Sequence, residues 1–130
     1  ISEKTQAERQ ETMQAICSQC HSQSWVDGHF QRLEHTIEAS NKAVRTATEI
    51  MQTIWDLDLA LGLRAGESPF DEHIEKIWST IWLINANKVR FASAMAGGGD
   101  YGVFAQGRFG LSNNLADMQD WLDEQTEQTQ

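Results

Sequence analysis

Apolar residues recur every seven positions from Phe30 through Ile37 and Val44 to Met51. A companion row, Leu33, Ala47, Ile54 and Leu61, is interrupted only by Ser40. A seven-residue interval keeps a row on one side of an α-helix, so the pattern predicts a helix from about His29 to Leu63 whose seam another helix must cover. Leu63-Arg64-Ala65-Gly66 is its expected stop, with glycine just past the end. A helix of about 35 residues spans ~50 Å. A compact domain of this size has a radius of gyration of only ~14 Å. The rod overshoots any globule that 130 residues build alone. It predicts either an extended hairpin or one part of a larger assembly. Five tryptophans and two broad apolar stripes favour the second.

The rest of the chain reads as helical too, giving an all-α fold. A first helix is expected over roughly Glu3 to Ile16, with little apolar surface (Ala7, Met13, Ala15, Ile16), so that it leans on something else. Ser68-Pro69, followed by Asp71 and Glu72, is a start signal with serine as N-cap and proline in the first turn. From there Phe70, Ile74, Ile77, Ile81, Ile84, Phe91 and Met95 form a stripe that ends at Gly97, widened by Trp78 and Trp82. Residues 97–110 are glycine-rich and read as a loop. A last helix with Leu115, Met118 and Leu122 is expected from Ser112-Asn113, and a polar tail from Asp123 to Gln130 is expected to fray. The chain thus divides into residues 1–28, a helical bundle over 29–122 and a tail over 123–130.

Ten basic and nineteen acidic residues leave a formal charge of −9. Phosphate binding needs a basic patch, so nucleic acid is excluded as a partner. A basic redox partner protein would be attracted. No apolar run approaches the ~18 residues of a membrane span. The chain opens on Ile1 with no visible secretory signal, as a processed terminus or a cut piece would.

Cys17-Ser18-Gln19-Cys20-His21 contains both cysteines of the chain. C-x-x-C-H is the attachment signature of a c-type haem. Two thiols add across the haem vinyl groups, and the adjacent imidazole becomes the proximal iron ligand. The spacing is tight because all three groups must reach one macrocycle from one turn of backbone. A redox dithiol would call for a βαβ setting, and a zinc site for a second ligand pair; neither pattern is present. The expected cofactor is therefore one covalent haem c on Cys17, Cys20 and His21. Such attachment takes place outside the cytoplasm, so a periplasmic or other extracytoplasmic location is expected. His35 and His73 sit among charged neighbours and read as surface residues. Met51, Met95 and Met118 fall on apolar stripes and read as core. Trp25 is accounted for by packing. Asp56 and Asp58 lack the Glu-x-x-His partners of a di-iron bundle.

The run Glu11-Thr12-Met13-Gln14-Ala15-Ile16-Cys17-Ser18-Gln19-Cys20-His21-Ser22, continuing into Trp25-Val26-Asp27-Gly28-His29-Phe30, precedes a long helix hairpin and then a Gly-Asp-Tyr loop. This arrangement resembles the C-terminal part of the hydroxylamine oxidoreductase family of octahaem cytochromes c. The resemblance implies that the chain is the last-haem segment of a multihaem cytochrome, with the remainder of an octahaem chain upstream and a homotrimer as the assembly. It makes His29 a candidate distal iron ligand, of this haem or of a different one in the stack. It also makes Tyr101, the sole tyrosine, the candidate crosslink to the catalytic haem of a neighbouring subunit, with Asp100 as an acid-base or positioning group beside it. The implied activity is oxidation of a small nitrogenous substrate, hydroxylamine or hydrazine, with electrons leaving through stacked haems. The alternatives are an octahaem nitrite reductase of the same fold, which lacks the crosslink, and a single-haem electron-transfer cytochrome.

Overall fold

The computed structural model describes residues 4–94 and 101–128, with the side chain of Ala65 excepted. Among the described residues there is no strand. Helix α1 (Gln6–Cys17) leads to α2 (Gln23–Asp56). A short 3-10 turn (Arg64–Gly66) precedes a segmented rod made of α3 (His73–Thr80), a π turn (Ile81–Asn85) and α4 (Ala86–Ala94). Helix α5 (Tyr101–Gln128) follows.

The rods run up, down and up. Trp78 Nε1 donates to Thr48 Oγ1 at 3.1 Å and Arg90 to Asn41 Oδ1 at 2.6 Å, so the second rod runs antiparallel to α2. Gly110 lies against Asn85, and Gly107 against Lys88 and Val89, so α5 turns back again. Ala47, Ile50, Met51 and Ile54 of α2 meet Ile74, Ile81 and Ala86 of the second rod and Leu111 and Met118 of α5. Met51, Ile54, Ile81 and Met118 have no exposed surface, and burial of each such side chain stabilises the bundle by about 1.5–3 kcal/mol. The expected core roles of Met51 and Met118 are borne out; Met95 lies outside the described residues.

Helix α2 begins earlier than the heptad pattern predicts. Ser22 is its N-cap, its hydroxyl accepting from Trp25 N at 3.3 Å. It also ends earlier, at Asp56. Asp58 takes a left-handed conformation (φ 58°), and Arg64 pairs with its carboxylate and with the Trp55 carbonyl. Leu61 therefore lies beyond the helix, half exposed, and drops out of the seam. Phe30, Leu33 and Ile37 are only partly buried, so the core gathers around the C-terminal half of the rod.

The second rod does not start at Ser68-Pro69. Ser68 Oγ instead accepts from Phe70 N at 3.2 Å, a local turn. Glu72 is the N-cap, and its backbone N–H donates to Glu75 Oε2 at 3.1 Å. The predicted stripe also breaks within this rod. Ile74 and Ile81 are buried as expected, but Ile84 is 45% and Phe91 70% exposed, while Asn85, Ala86, Val89 and Ala92 are buried in their place. The π turn is the cause. Ala86 N–H bonds to Ile81 O, one residue further back than in an α-helix, which turns every later side chain out of its α register.

Residues 101–110 are helix, not loop; 97–100 lie outside the described residues. Two of the glycines serve a helix crossing. A Cβ on Gly107 would stand 2.9 Å from Lys88 Cβ and 3.1 Å from the Asn85 carbonyl oxygen, and one on Gly110 would stand 2.7 Å from Asn85 Oδ1. Only bare backbone lets α5 approach so closely. The tail is helical as far as Gln128, with Gln119 Nε2 bonded to Asp123 Oδ1 at 2.9 Å and Thr126 Oγ1 to Leu122 O at 3.0 Å.

Candidate functional site

Thr5 opens α1 with a capping box: Glu8 N donates to Thr5 Oγ1 at 3.2 Å, and Thr5 N to Glu8 Oε2 at 2.7 Å. That hydrogen bonding holds the Glu8 carboxyl below its ordinary pKa. No residue of α1 is buried, as the sparse apolar surface predicts. Its last residue is Cys17, and the chain then curls through one further turn. Cys20 N donates to Cys17 O at 3.2 Å and His21 N to the same oxygen at 2.9 Å. Ser22 caps α2 immediately afterwards. The motif is thus pinned between two helix termini.

Cys17 is partly buried, Cys20 is exposed, and neither is in a disulfide. His21 is exposed. Two free thiols and an imidazole, held on one turn and open to solvent, are the donor set that covalent haem attachment requires. The residues present fit the group.

His21, just before α2, and Trp25 and His29 on its first turns form a row of three rings. The His21 and Trp25 centroids are 3.8 Å apart with 13° between planes. Those of Trp25 and His29 are 5.4 Å apart with 8° between planes. Phe30 meets His29 edge-on at 5.4 Å. Within α2 the four-residue step from Trp25 to His29 places one ring a turn above the other, and His21, just before the helix, folds back onto Trp25. Partial burial, with Arg32 adding a smaller effect, lowers the pKa of His29 and favours the neutral imidazole, the form that binds metals. The indole occupies the gap between the two imidazoles, so His21 and His29 do not face each other across a single metal position. The sequence accounts for Trp25 by packing; its stacking on both histidines is the finding of the structure, and the signal for it is the His-Trp-His spacing at the start of a helix.

Tyr101 is the first residue of α5 and is 72% exposed, its ring 6.5 Å from that of Phe104. Asp100 lies outside the described residues. Tyr101 opens α5 and the cysteine motif lies in the turn between α1 and α2, and no contact among the described residues joins them. His35 and His73 are exposed, as expected. Asp56 accepts from Gln52 Nε2 at 2.9 Å, and Asp58 pairs with Arg64. Asp71, Glu72 and Glu75 bring carboxylate oxygens within 4.8 Å of one another. Glu72 already accepts from Leu61 N at 2.6 Å and Glu75 from Trp55 Nε1 at 2.9 Å, so this cluster joins α3 to the end of α2.

Fold and site together define an all-α bundle with a C-x-x-C-H turn at the head of its longest helix. No family model and no curated protein matches the chain. A solved structure described as "Hypothetical multiheme protein" matches it at 33% identity with a TM-score of 0.82, covering 99% of this chain and 25% of that one. The chain therefore spans about a quarter of the length of that protein.

Proposed function

We propose that the chain is the last-haem segment of a multihaem c-type cytochrome that oxidises hydroxylamine or hydrazine. The observation that carries this reading is the exposed turn Cys17–His21, together with the likeness of nearly the whole chain to part of a protein described as multiheme. Cys17 and Cys20 hold the haem through thioether bonds, and His21 gives a ring nitrogen to its iron. The bound group supplies one-electron redox chemistry. The position of Trp25 between the rings supports His29 as ligand of a second haem rather than of this one.

In this reading the remaining haems belong to upstream parts of an octahaem chain, and the assembly is an extracytoplasmic homotrimer. Leu83, Ile84, Phe91, Val103 and Phe109 are large apolar side chains left exposed, which supports burial against further protein. No described helix is long and apolar enough to cross a membrane. Tyr101 is the proposed crosslink to the catalytic haem of a neighbouring subunit, with Asp100 beside it, and its exposure supports that reach. Tyr101 opens a helix rather than lying in the glycine-rich loop expected over residues 97–110, and this makes the octahaem nitrite reductase the second reading.

Intact mass and the reduced absorption spectrum test the haem. One haem above the polypeptide mass, lost in Cys17→Ala with Cys20→Ala, is expected. Free thiols titrating in the native protein, or zinc in place of haem, would end the reading.

A further inference from the structure

Trp25 stands between two imidazoles, nearly parallel to both. An imidazole coordinates through a nitrogen on its edge and stacks through its face. Stacking on Trp25 therefore leaves the coordinating edges of His21 and His29 free. The backbone that carries the indole is fixed in the first turn of α2. Trp25 is half-buried, it precedes the fully buried Val26, and its backbone N–H is bound by the capping Ser22. Phe30 closes on His29 at right angles. His21 itself is exposed, so Trp25 is the flat wall that limits rotation of its ring.

The plane of an axial imidazole governs its overlap with the iron orbitals, and the apolar shell around a ligand governs the reduction potential. We infer that Trp25 is a positioning residue shared by His21 and His29, fixing both ring planes and covering one face of each ring. This rests on the haem reading above and adds a specific determinant of the electronic properties of the site. Removing the indole frees the rings and admits water. Water favours the more highly charged ferric state, so the midpoint potential falls.

The test compares Trp25→Leu, which stays apolar but loses the ring, with Trp25→Phe, which keeps a smaller plane, in the intact haem-loaded protein. Haem content is measured first, by the pyridine haemochrome assay. Electron paramagnetic resonance of the oxidised state and redox titration follow. The expected result is full haem content in both variants, altered g-values and a lower potential in Trp25→Leu, and near-native values in Trp25→Phe. A second measurement needs no haem. In the chain carrying Cys17→Ser and Cys20→Ser, the ring protons of His21 and His29 should show upfield ring-current shifts that Trp25→Leu abolishes. Haem-loaded Trp25→Leu with unchanged g-values and potential overturns the role of Trp25 and leaves the haem reading standing. Random-coil histidine shifts in the haem-free chain overturn the stack itself. Absence of haem from the unmodified protein overturns the haem reading first, and this role with it.

Discussion

The indole nitrogen of Trp55 donates to the carboxylate of Glu75 at 2.9 Å, joining the last turn of α2 to the first turn of α3. Glu75 has no exposed surface. A buried carboxylate that loses a donor bears the desolvation cost of the oxygen left behind. Trp55→Phe should therefore destabilise the bundle by about 1–3 kcal/mol. Urea denaturation followed by circular dichroism measures this, and an unchanged midpoint would show that the bond contributes nothing.

The crossing of α5 over α4 predicts opposite outcomes for one substitution at two glycines. Alanine is the better helix former by up to about 1 kcal/mol. At Gly102 nothing lies within 4 Å of a new Cβ, so Gly102→Ala should stabilise slightly. At Gly107 the methyl would collide with Lys88 Cβ, Val89 Cγ2 and the Asn85 carbonyl. Overpacking of this kind costs about 1–3 kcal/mol, more than the propensity gain, so Gly107→Ala should destabilise. Thermal melts of the two variants decide it; shifts in the same direction would contradict this account of the crossing.

For Tyr101 the check is peptide mapping of active protein. A crosslinked tyrosine leaves its peptide attached to haem, and Tyr101→Phe should then shift the enzyme toward reductive chemistry while leaving the haem at His21 in place. Recovery of the Tyr101 peptide unmodified and in full yield would move the nitrite-reductase reading ahead.

His29 carries a pH dependence in the haem-free chain. Burial, then Arg32, lowers its pKa in the fold. Between the folded value and the ordinary value of about 6.5, the unfolded chain binds more protons, so stability rises with pH there. The contribution is present above the unfolded value and is lost as pH falls through the folded one. His29→Gln should flatten that part of the stability curve. A His29 resonance titrating at or above the ordinary value would refute the lowered pKa.

The motif at Cys17–His21, two long helical rods and the middle of a third were legible because each rests on local chemistry: fixed donor spacing and apolar periodicity. The limits of the rods were not. Ser68-Pro69 reads as a helix start, but the carboxylates of Glu72 and Glu75, satisfied by Leu61 N and Trp55 Nε1, set the start a few residues later. Gly102, Gly107 and Gly110 read as a loop because glycine lowers helix propensity. The sequence does not show which partner rod demands bare backbone. Tyr101 was singled out by resemblance, and its setting at a helix start was beyond the reach of local pattern.

The π turn at Ile81–Asn85 has a consequence for comparing sequences. It behaves as a single inserted residue absorbed into a continuous helix. Upstream of it, inward positions fall on Ile74 and Ile81; downstream they fall on Ala86, Val89 and Ala92. An ungapped alignment with a helix lacking the turn would pair inward residues with outward ones over the whole of α4. Deleting one residue between Ile81 and Asn85 would restore an unbroken α-helix and leave Val89 and Ala92 facing inward and Phe91 outward, whereas deleting one after the turn would shift the register of every later residue of α4.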